Sequence, residues 1–202
     1  MASLLAVGTS RTRRRLTPEE RRAELIDAAI RLLRSGREVS NWAQAVTAEA
    51  DAAKGTFYVY FSSWDDMLVA VRERVLREYV SRYHELAESP GQLDWWAVLD
   101  AECDEAIDFI AQPSGLHHAI FHSVAALAPI DDDLDITAAV ARFLARGIEE
   151  GALRAVDPRA AAAFLLAIVH AAADAIAAGD APDRWRSSVR DLTRNWLSRT
   201  AA

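Results

Sequence analysis

Six prolines, Pro18, Pro90, Pro113, Pro129, Pro158 and Pro182, cut the 202-residue chain where a helical spacing of apolar residues breaks or begins. Proline fits the first turn of a helix or the connection between helices and disrupts helix interiors, so each proline marks a boundary. The segments between them are rich in Ala, Leu, Arg and Glu, all good helix formers. None alternates like a strand bounded by turn residues, and no segment repeats. The pattern predicts an all-α chain of about nine helices.

The first helix is the best marked. Thr17-Pro18-Glu19-Glu20 combines an N-cap threonine, a proline at the first helical position and a glutamate that can reach back, which is a capping box. Leu25, Ile26, Ala29, Leu32 and Leu33 then recur at helical spacing, and Gly36 ends the run. Two short helical pieces follow, over 41–49 and 53–59. Ser63 caps a longer helix that runs to Glu88, with Leu68, Val71, Val75, Tyr79 and Tyr83 on one face. Further helices are expected over 94–112, 115–128, 132–151, 158–179 and 183–199, and Asp131-Asp132-Asp133 reads as an acidic helix start.

Just over half of the residues are hydrophobic, enough for a sizeable core. The single cysteine, Cys103, excludes an intramolecular disulfide and a Cys-rich metal site. The apolar run Leu4 to Val7 is too short for a signal-peptide core, and no stretch is read as the roughly 20 charge-free apolar residues of a membrane helix. The expectation is a cytoplasmic chain with no membrane contact. A formal net charge of −7 argues at first against nucleic acid. Its distribution argues the other way: residues 1–60 hold ten basic and seven acidic side chains, net +3, which leaves −10 for the remainder. A basic end on an acidic body suits a protein that meets phosphate at one end; a basic tail with no partner would give the same asymmetry.

The segment from Val46 to Ser63 carries the functional signal. Small residues cluster over Ala50 to Ala53, where two short helices must cross closely, and Lys54, Gly55 and Thr56 open the second of them. Glycine inside a helix costs about 1 kcal/mol against alanine, which is accepted where another backbone or DNA comes close. Lys54 can reach a guanine edge or a phosphate, and Thr56 a base or a thymine methyl. Tyr58 and Tyr60 can donate to phosphate oxygens, while Phe57 and Phe61 should pack inward.

Ala53-Lys54-Gly55-Thr56-Phe57-Tyr58-Val59-Tyr60-Phe61-Ser62-Ser63 resembles the S-K-G-T-L/F-Y-x-Y/H-F-x-S pattern that ends the helix-turn-helix of the TetR/AcrR family of bacterial regulators. The first helix also resembles that of the family, and Ile148 to Arg154, followed by Val156-Asp157-Pro158, is similar to a passage between its seventh and eighth helices. The resemblance implies a flexible basic arm over 1–16, a helix-turn-helix unit over 17–62 and an effector-binding and dimerisation domain over 63–202. The DNA-facing residues it implies are Arg13, Arg14, Gln44, Ala53, Lys54, Gly55, Thr56, Tyr58 and Tyr60, with Arg11 and Arg15 also on the arm. Three positions depart from the family. Asp51 stands where the turn has glycine, a place aspartate tolerates better than most residues. Trp64 replaces a lysine, and Trp42 a threonine, so that Ser40 or Asn41 must cap the second helix.

Leu165, Ile168, Val169, Ala172 and Ile176 in one helix, and Trp185, Val189, Leu192 and Trp196 in the next, form seams for helix packing. The resemblance implies that Leu165, Val169, Ala172, Ile176, Trp185, Val189, Leu192 and Trp196 pair with their copies in a homodimer, which would match a palindromic operator in double-stranded DNA. In a monomer the same seams are ordinary core. The resemblance also implies a pocket for a small-molecule effector. Its candidate lining is Trp95, Trp96, Phe109, His118, Phe121, His122, Phe143, His170 and Asp174. His118 with His122, and His170 with Asp174, stand at i,i+4, but spacing supplies no third ligand and no metal site is read; no cofactor is implied. The function so implied is a repressor released from its operator by a ligand. A constitutive DNA-binding protein remains an alternative, as does a helical-bundle enzyme, although no nucleophile elbow, H-E-x-x-H, phosphate loop or Rossmann fingerprint is present.

Overall fold

A computed structural model describes residues 16–112 and 115–199. Among them are nine α-helices and no strand: α1 (Pro18–Arg34), α2 (Trp42–Glu49), α3 (Thr56–Tyr60), α4 (Trp64–Glu88), α5 (Trp95–Ala111), α6 (Leu116–Phe121), α7 (Ile136–Glu149), α8 (Pro158–Ala177) and α9 (Pro182–Leu197). Side chains written into the sequence set most of the starts. The Thr17 backbone N–H donates to Glu20 Oε2 at 2.8 Å while Glu20 N–H donates to Thr17 Oγ1 at 3.2 Å, closing the capping box. Asn41, Ser63, Asp94, Asp135 and Asp157 cap α2, α4, α5, α7 and α8 in the same way, each accepting from a backbone N–H three residues on. Pro158 and Pro182 occupy the first turns of α8 and α9.

Two apolar cores form. The first joins Leu25, Ala29, Leu32 and Leu33 of α1 to Val46, Phe57, Phe61 and the first half of α4, and includes Leu116 and Ile120 of α6. The second joins the second half of α4 to α5, α7, α8 and α9 around Trp95, Leu99, Ile107, Phe143 and Val169. Helix α4 runs through both: Met67, Leu68, Val71 and Val75 belong to the first, Val80 and Tyr83 to the second. Burying a large apolar side chain contributes about 1.5–3 kcal/mol, so each end of α4 is held firmly by its own core.

Three helix spans differ from the periodicity. The third helix starts at Thr56 rather than 53, because the turn continues through Lys54 and Gly55. The expected helix over 115–128 is α6 followed by a 3-10 turn, Val124–Leu127. The Ser123 hydroxyl takes the Ala119 carbonyl at 2.5 Å, the acceptor that a continuing α-helix would give to the Ser123 N–H. The buried Arg72 of α4 then holds the following loop by donating to the Ala128 and Pro129 carbonyls at 2.6 and 3.3 Å. Asp132–Leu134 is a separate 3-10 turn, and α7 starts after it on the Asp135 cap.

The seam expected between copies is largely internal. Leu165, Val169 and Ala172 of α8 and Val189 of α9 are buried in the second core, while Ile176, Trp185 and Trp196 pack against it. Only Leu192 is an exposed large apolar residue of that set. The outward stripe of α8 is shifted by one or two residues and holds Ala160, Ala163, Phe164, Ala167 and Ala171. Phe164 is 60% exposed, with Trp196 against its edge at 5.7 Å. By length and composition α8 could cross a membrane, contrary to the expectation that no stretch would. Its apolarity has a different structural basis, since one side packs into the bundle and the other stays open. Helix α9 is pinned to α5 by ion pairs that step along both helices, Asp100 with Arg194, Asp104 with Arg186 and Arg190, and Asp108 with Arg186.

Candidate DNA-facing surface and ligand cavity

The turn between α2 and α3 is closed by the Ala52 N–H donating to the Thr47 carbonyl at 2.8 Å. Asp51 sits at φ 47°, the only non-glycine residue with a positive φ among the described residues. A left-handed backbone costs most residues about 1–2 kcal/mol and aspartate less, which is why the turn survives without glycine. Phe57 points into the first core and is fully buried, so the opposite side of α3 must face out. Tyr58 is accordingly 67% exposed, and Ala53, Lys54, Gly55 and, on α2, Gln44 are exposed as well. Thr56 is half-buried. Tyr60 is half-buried as well and packs against the first core. A Cβ at Gly55 would meet nothing within 4 Å, and its φ of −78° is open to any residue, so nothing inside the chain requires glycine there. Arg13 and Arg14, with Arg11, Arg15 and the rest of the arm to residue 15, lie outside the described residues.

The two tryptophans that depart from the family pattern meet. Trp42 at the start of α2 and Trp64 at the start of α4 stack face to face, with centroids 4.4 Å apart and planes 13° from parallel. Such a pair contributes about 0.5–1.5 kcal/mol beyond area burial. It ties the first turns of α2 and α4 together beside Tyr58. Of the two candidate caps for α2, Asn41 is the one used, with Oδ1 accepting from Gln44 N–H at 3.0 Å.

Between α4, α5, α6 and α8 lies a cavity of about 220 Å³. Leu76, Tyr79 and Tyr83 of α4 and Ala106, Phe109 and Ile110 of α5 form two of its walls. His117 and Phe121 of α6, Ile136 of α7, and Leu166 and His170 of α8 complete it. Two carboxylates also reach it, those of Glu102 and Glu105, and Arg82 grips both. Burial pushes the Glu102 carboxyl up against the pull of Arg82. Burial likewise pushes the Tyr79 hydroxyl up to about 12, so it stays protonated and able to donate. The His117 imidazole goes the other way, brought down to about 4 by burial and by the neighbouring His170 and His122, with Asp174 opposing.

Of the nine residues expected to line a pocket, the structure brings Phe109, Phe121 and His170 to this cavity. Trp95 and Phe143 are buried in the second core with their rings 5.0 Å apart. Trp96 lies under the Arg194 guanidinium. His118 and His122 stack on one another at the exposed side of α6, and Asp174 is exposed on α8. His117, Tyr79, Tyr83 and Glu102 line the cavity without having been expected there. The i,i+4 spacing of His118 and His122 points to the opposite, exposed side of α6, while Leu116 and Ile120 set the side that faces inward and carry His117 with them. Among the described residues no group of three or more His, Cys, Asp or Glu side chains is arranged to hold a metal ion.

No protein-family model matches the sequence, and no curated protein matches it. Solved structures do. A TetR-family transcriptional regulator from Pectobacterium atrosepticum is 20% identical with a TM-score of 0.65, over 92% of this chain and 100% of that one. The SmeT–triclosan complex, whose protein is a repressor of a Stenotrophomonas maltophilia efflux pump, is 20% identical with a TM-score of 0.60, over 89% and 92%. The transcriptional regulator FadR from Bacillus subtilis in complex with stearoyl-CoA is 15% identical with a TM-score of 0.57, over 85% and 96%. The chain shares the fold of these regulators over nearly its whole length.

Proposed function

We propose that the protein is a sequence-specific DNA-binding transcriptional regulator, a homodimeric repressor released from a palindromic operator by a small-molecule ligand, with no catalytic activity of its own. The observation that carries this reading is the pairing, in one chain, of an outward helix-turn-helix with a cavity whose walls α4 and α6 also pack into the core beneath that helix-turn-helix. Lys54, Gly55 and Tyr58 stand out on α3 with no structural need for glycine at 55, which leaves close approach to DNA as its use. The fold shared with regulators solved with triclosan and with stearoyl-CoA supports a ligand in the cavity.

Helices α4 and α6 would transmit the signal. Leu116 and Ile120 of α6 sit in the first core while His117 and Phe121, one residue on from each, line the cavity. A ligand that fits better when α6 and α4 shift would favour a state in which the two recognition helices no longer match adjacent major grooves. The open stripe on α8 around Phe164, with Leu192 of α9, is the surface for the second copy, and it would account for α8 being apolar on both sides. The test is selection of a binding site from random duplex DNA, followed by titration of wild type, Lys54→Ala and Tyr58→Ala on that site. Each variant is expected to bind about tenfold more weakly, the scale of one lost contact to base or phosphate, with an unchanged circular dichroism spectrum. Unchanged affinity in both variants would remove α3 as the recognition helix.

A further inference from the structure

Four of the chain's five histidines gather where α6 meets α8, at one side of the cavity. The His117 ring lies 5.2 Å from His122 and 5.5 Å from His170, and His118 stacks on His122 at 5.4 Å. His117 is only 8% exposed, and no hydrogen bond to it is found among the described residues. His170 holds the Leu166 carbonyl with Nδ1 at 2.8 Å, which leaves Nε2 for something else. The remaining charged groups near His117 are few. On α8 there is Asp174; on the α4–α5 side there are Glu102 and Glu105, both bound to Arg82, with the Tyr79 and Tyr83 hydroxyls beside them.

We infer that the cavity takes an organic anion: an acid on a compact apolar body, with its acidic group seated between His117 and His170. This deepens the effector reading and rests on it. The body is set by size and lining. A cavity of about 220 Å³ exceeds the roughly 150 Å³ that accommodates benzene, so a substituted ring fits among Leu76, Phe109, Ile110 and Phe121. The sign of charge is set by which polar groups are already committed. A cation would have to take Glu102 or Glu105 from Arg82. An anion finds His117, an imidazole that can offer an N–H and has no hydrogen-bond partner among the described residues, and His170, which gives its Nδ1–H to the Leu166 carbonyl and offers an Nε2–H once the anion brings a proton to the ring. Burial and mutual repulsion keep His117 neutral near pH 7. A bound carboxylate supplies the missing counter-charge and raises its proton affinity, so binding takes up a proton and strengthens as pH falls.

The probes are 4-tert-butylbenzoate, 4-tert-butylbenzamide and 4-tert-butylbenzylamine, each titrated calorimetrically into the full chain at pH 6.0 and 7.5. The benzoate should bind most tightly, and its affinity should rise roughly five- to tenfold on going to pH 6.0 with a proton taken up; the amide should be indifferent to pH. His170→Gln, an exposed position that does not threaten folding, and His117→Asn should abolish the preference for acid over amide and leave amide binding intact. If the amine or amide binds as well as the benzoate, or the benzoate is indifferent to pH, the anion assignment is wrong. Loss of amide binding in Ala106→Phe, which fills the cavity, would then leave the effector reading standing. If none of the three probes binds, or Ala106→Phe changes nothing, the cavity reading falls and the anion assignment with it.

Discussion

Replacing His117 by phenylalanine should make the fold markedly less sensitive to mild acid. In the folded chain burial, reinforced by His170 and His122, brings the imidazole down to about 4, while in the unfolded chain it returns to about 6.5. Between those values the unfolded state binds a proton that the folded state refuses. Stability therefore rises with pH through this window and is lost as pH falls from about 6.5 towards 4. With the side chain only 8% exposed, solvent screening takes little from the effect. From pH 7.5 to 5.0 the loss from this one residue is about 2 kcal/mol. Phenylalanine fits among Phe109 and Phe121, whose rings already lie 5.7 and 5.0 Å from His117. The assay is urea unfolding of wild type and His117→Phe at both pH values, at one protein concentration because the proposed dimerisation would shift apparent stability. The wild type should lose about 2 kcal/mol more than the variant between the two pH values. A difference below about 0.5 kcal/mol would refute the burial argument, because an imidazole that stays accessible to protons contributes no such slope.

Other perturbations test separate parts of the structure. Gly147→Ala should cost about 1–3 kcal/mol in urea unfolding, since the new Cβ would stand 2.7 Å from Leu153 Cδ1 and 2.9 Å from the Trp95 ring. Asn41→Ala should cost about 1 kcal/mol by removing the α2 cap, measured as a shift in the urea midpoint with an unchanged slope. Phe164→Glu should convert the proposed dimer to monomer in light scattering; a variant that stays dimeric would place the interface elsewhere, and a monomeric wild type would remove the dimer from the proposal. Removing residues 1–16 should lower the salt dependence of operator binding by about 0.9 log units per lost phosphate contact.

Much of this architecture could be read from residue order, and the legible parts share a cause. Caps and turns are local, so Thr17 with Glu20, Ser63 and the left-handed Asp51 declare themselves within a few residues. Where a choice depends on something distant, the pattern is silent. Spacing marked Leu165, Val169 and Ala172 as an apolar face but could not say that α5 and α7 would cover it, because α8 carries a second apolar face beside it. The same limit applies to Trp95 and Phe143, which went to the core, and to Tyr79 and Tyr83, which went to the cavity. The end of α6 turned on one serine hydroxyl and on an arginine about fifty residues upstream.

Helix α6 has only six residues, and adjacent ones serve different masters. Leu116 and Ile120 anchor the core beneath α2 and α3, while His117 and Phe121 face the chamber. Each chamber position stands beside an anchor, so under the proposed function a change on α6 that moved its backbone would reach both the chamber and grip on the operator. Ile110 and Leu166 have no such double duty. Natural or engineered shifts in which molecule is sensed should therefore accumulate on α5 and α8 first, leaving the short helix as the part least free to change.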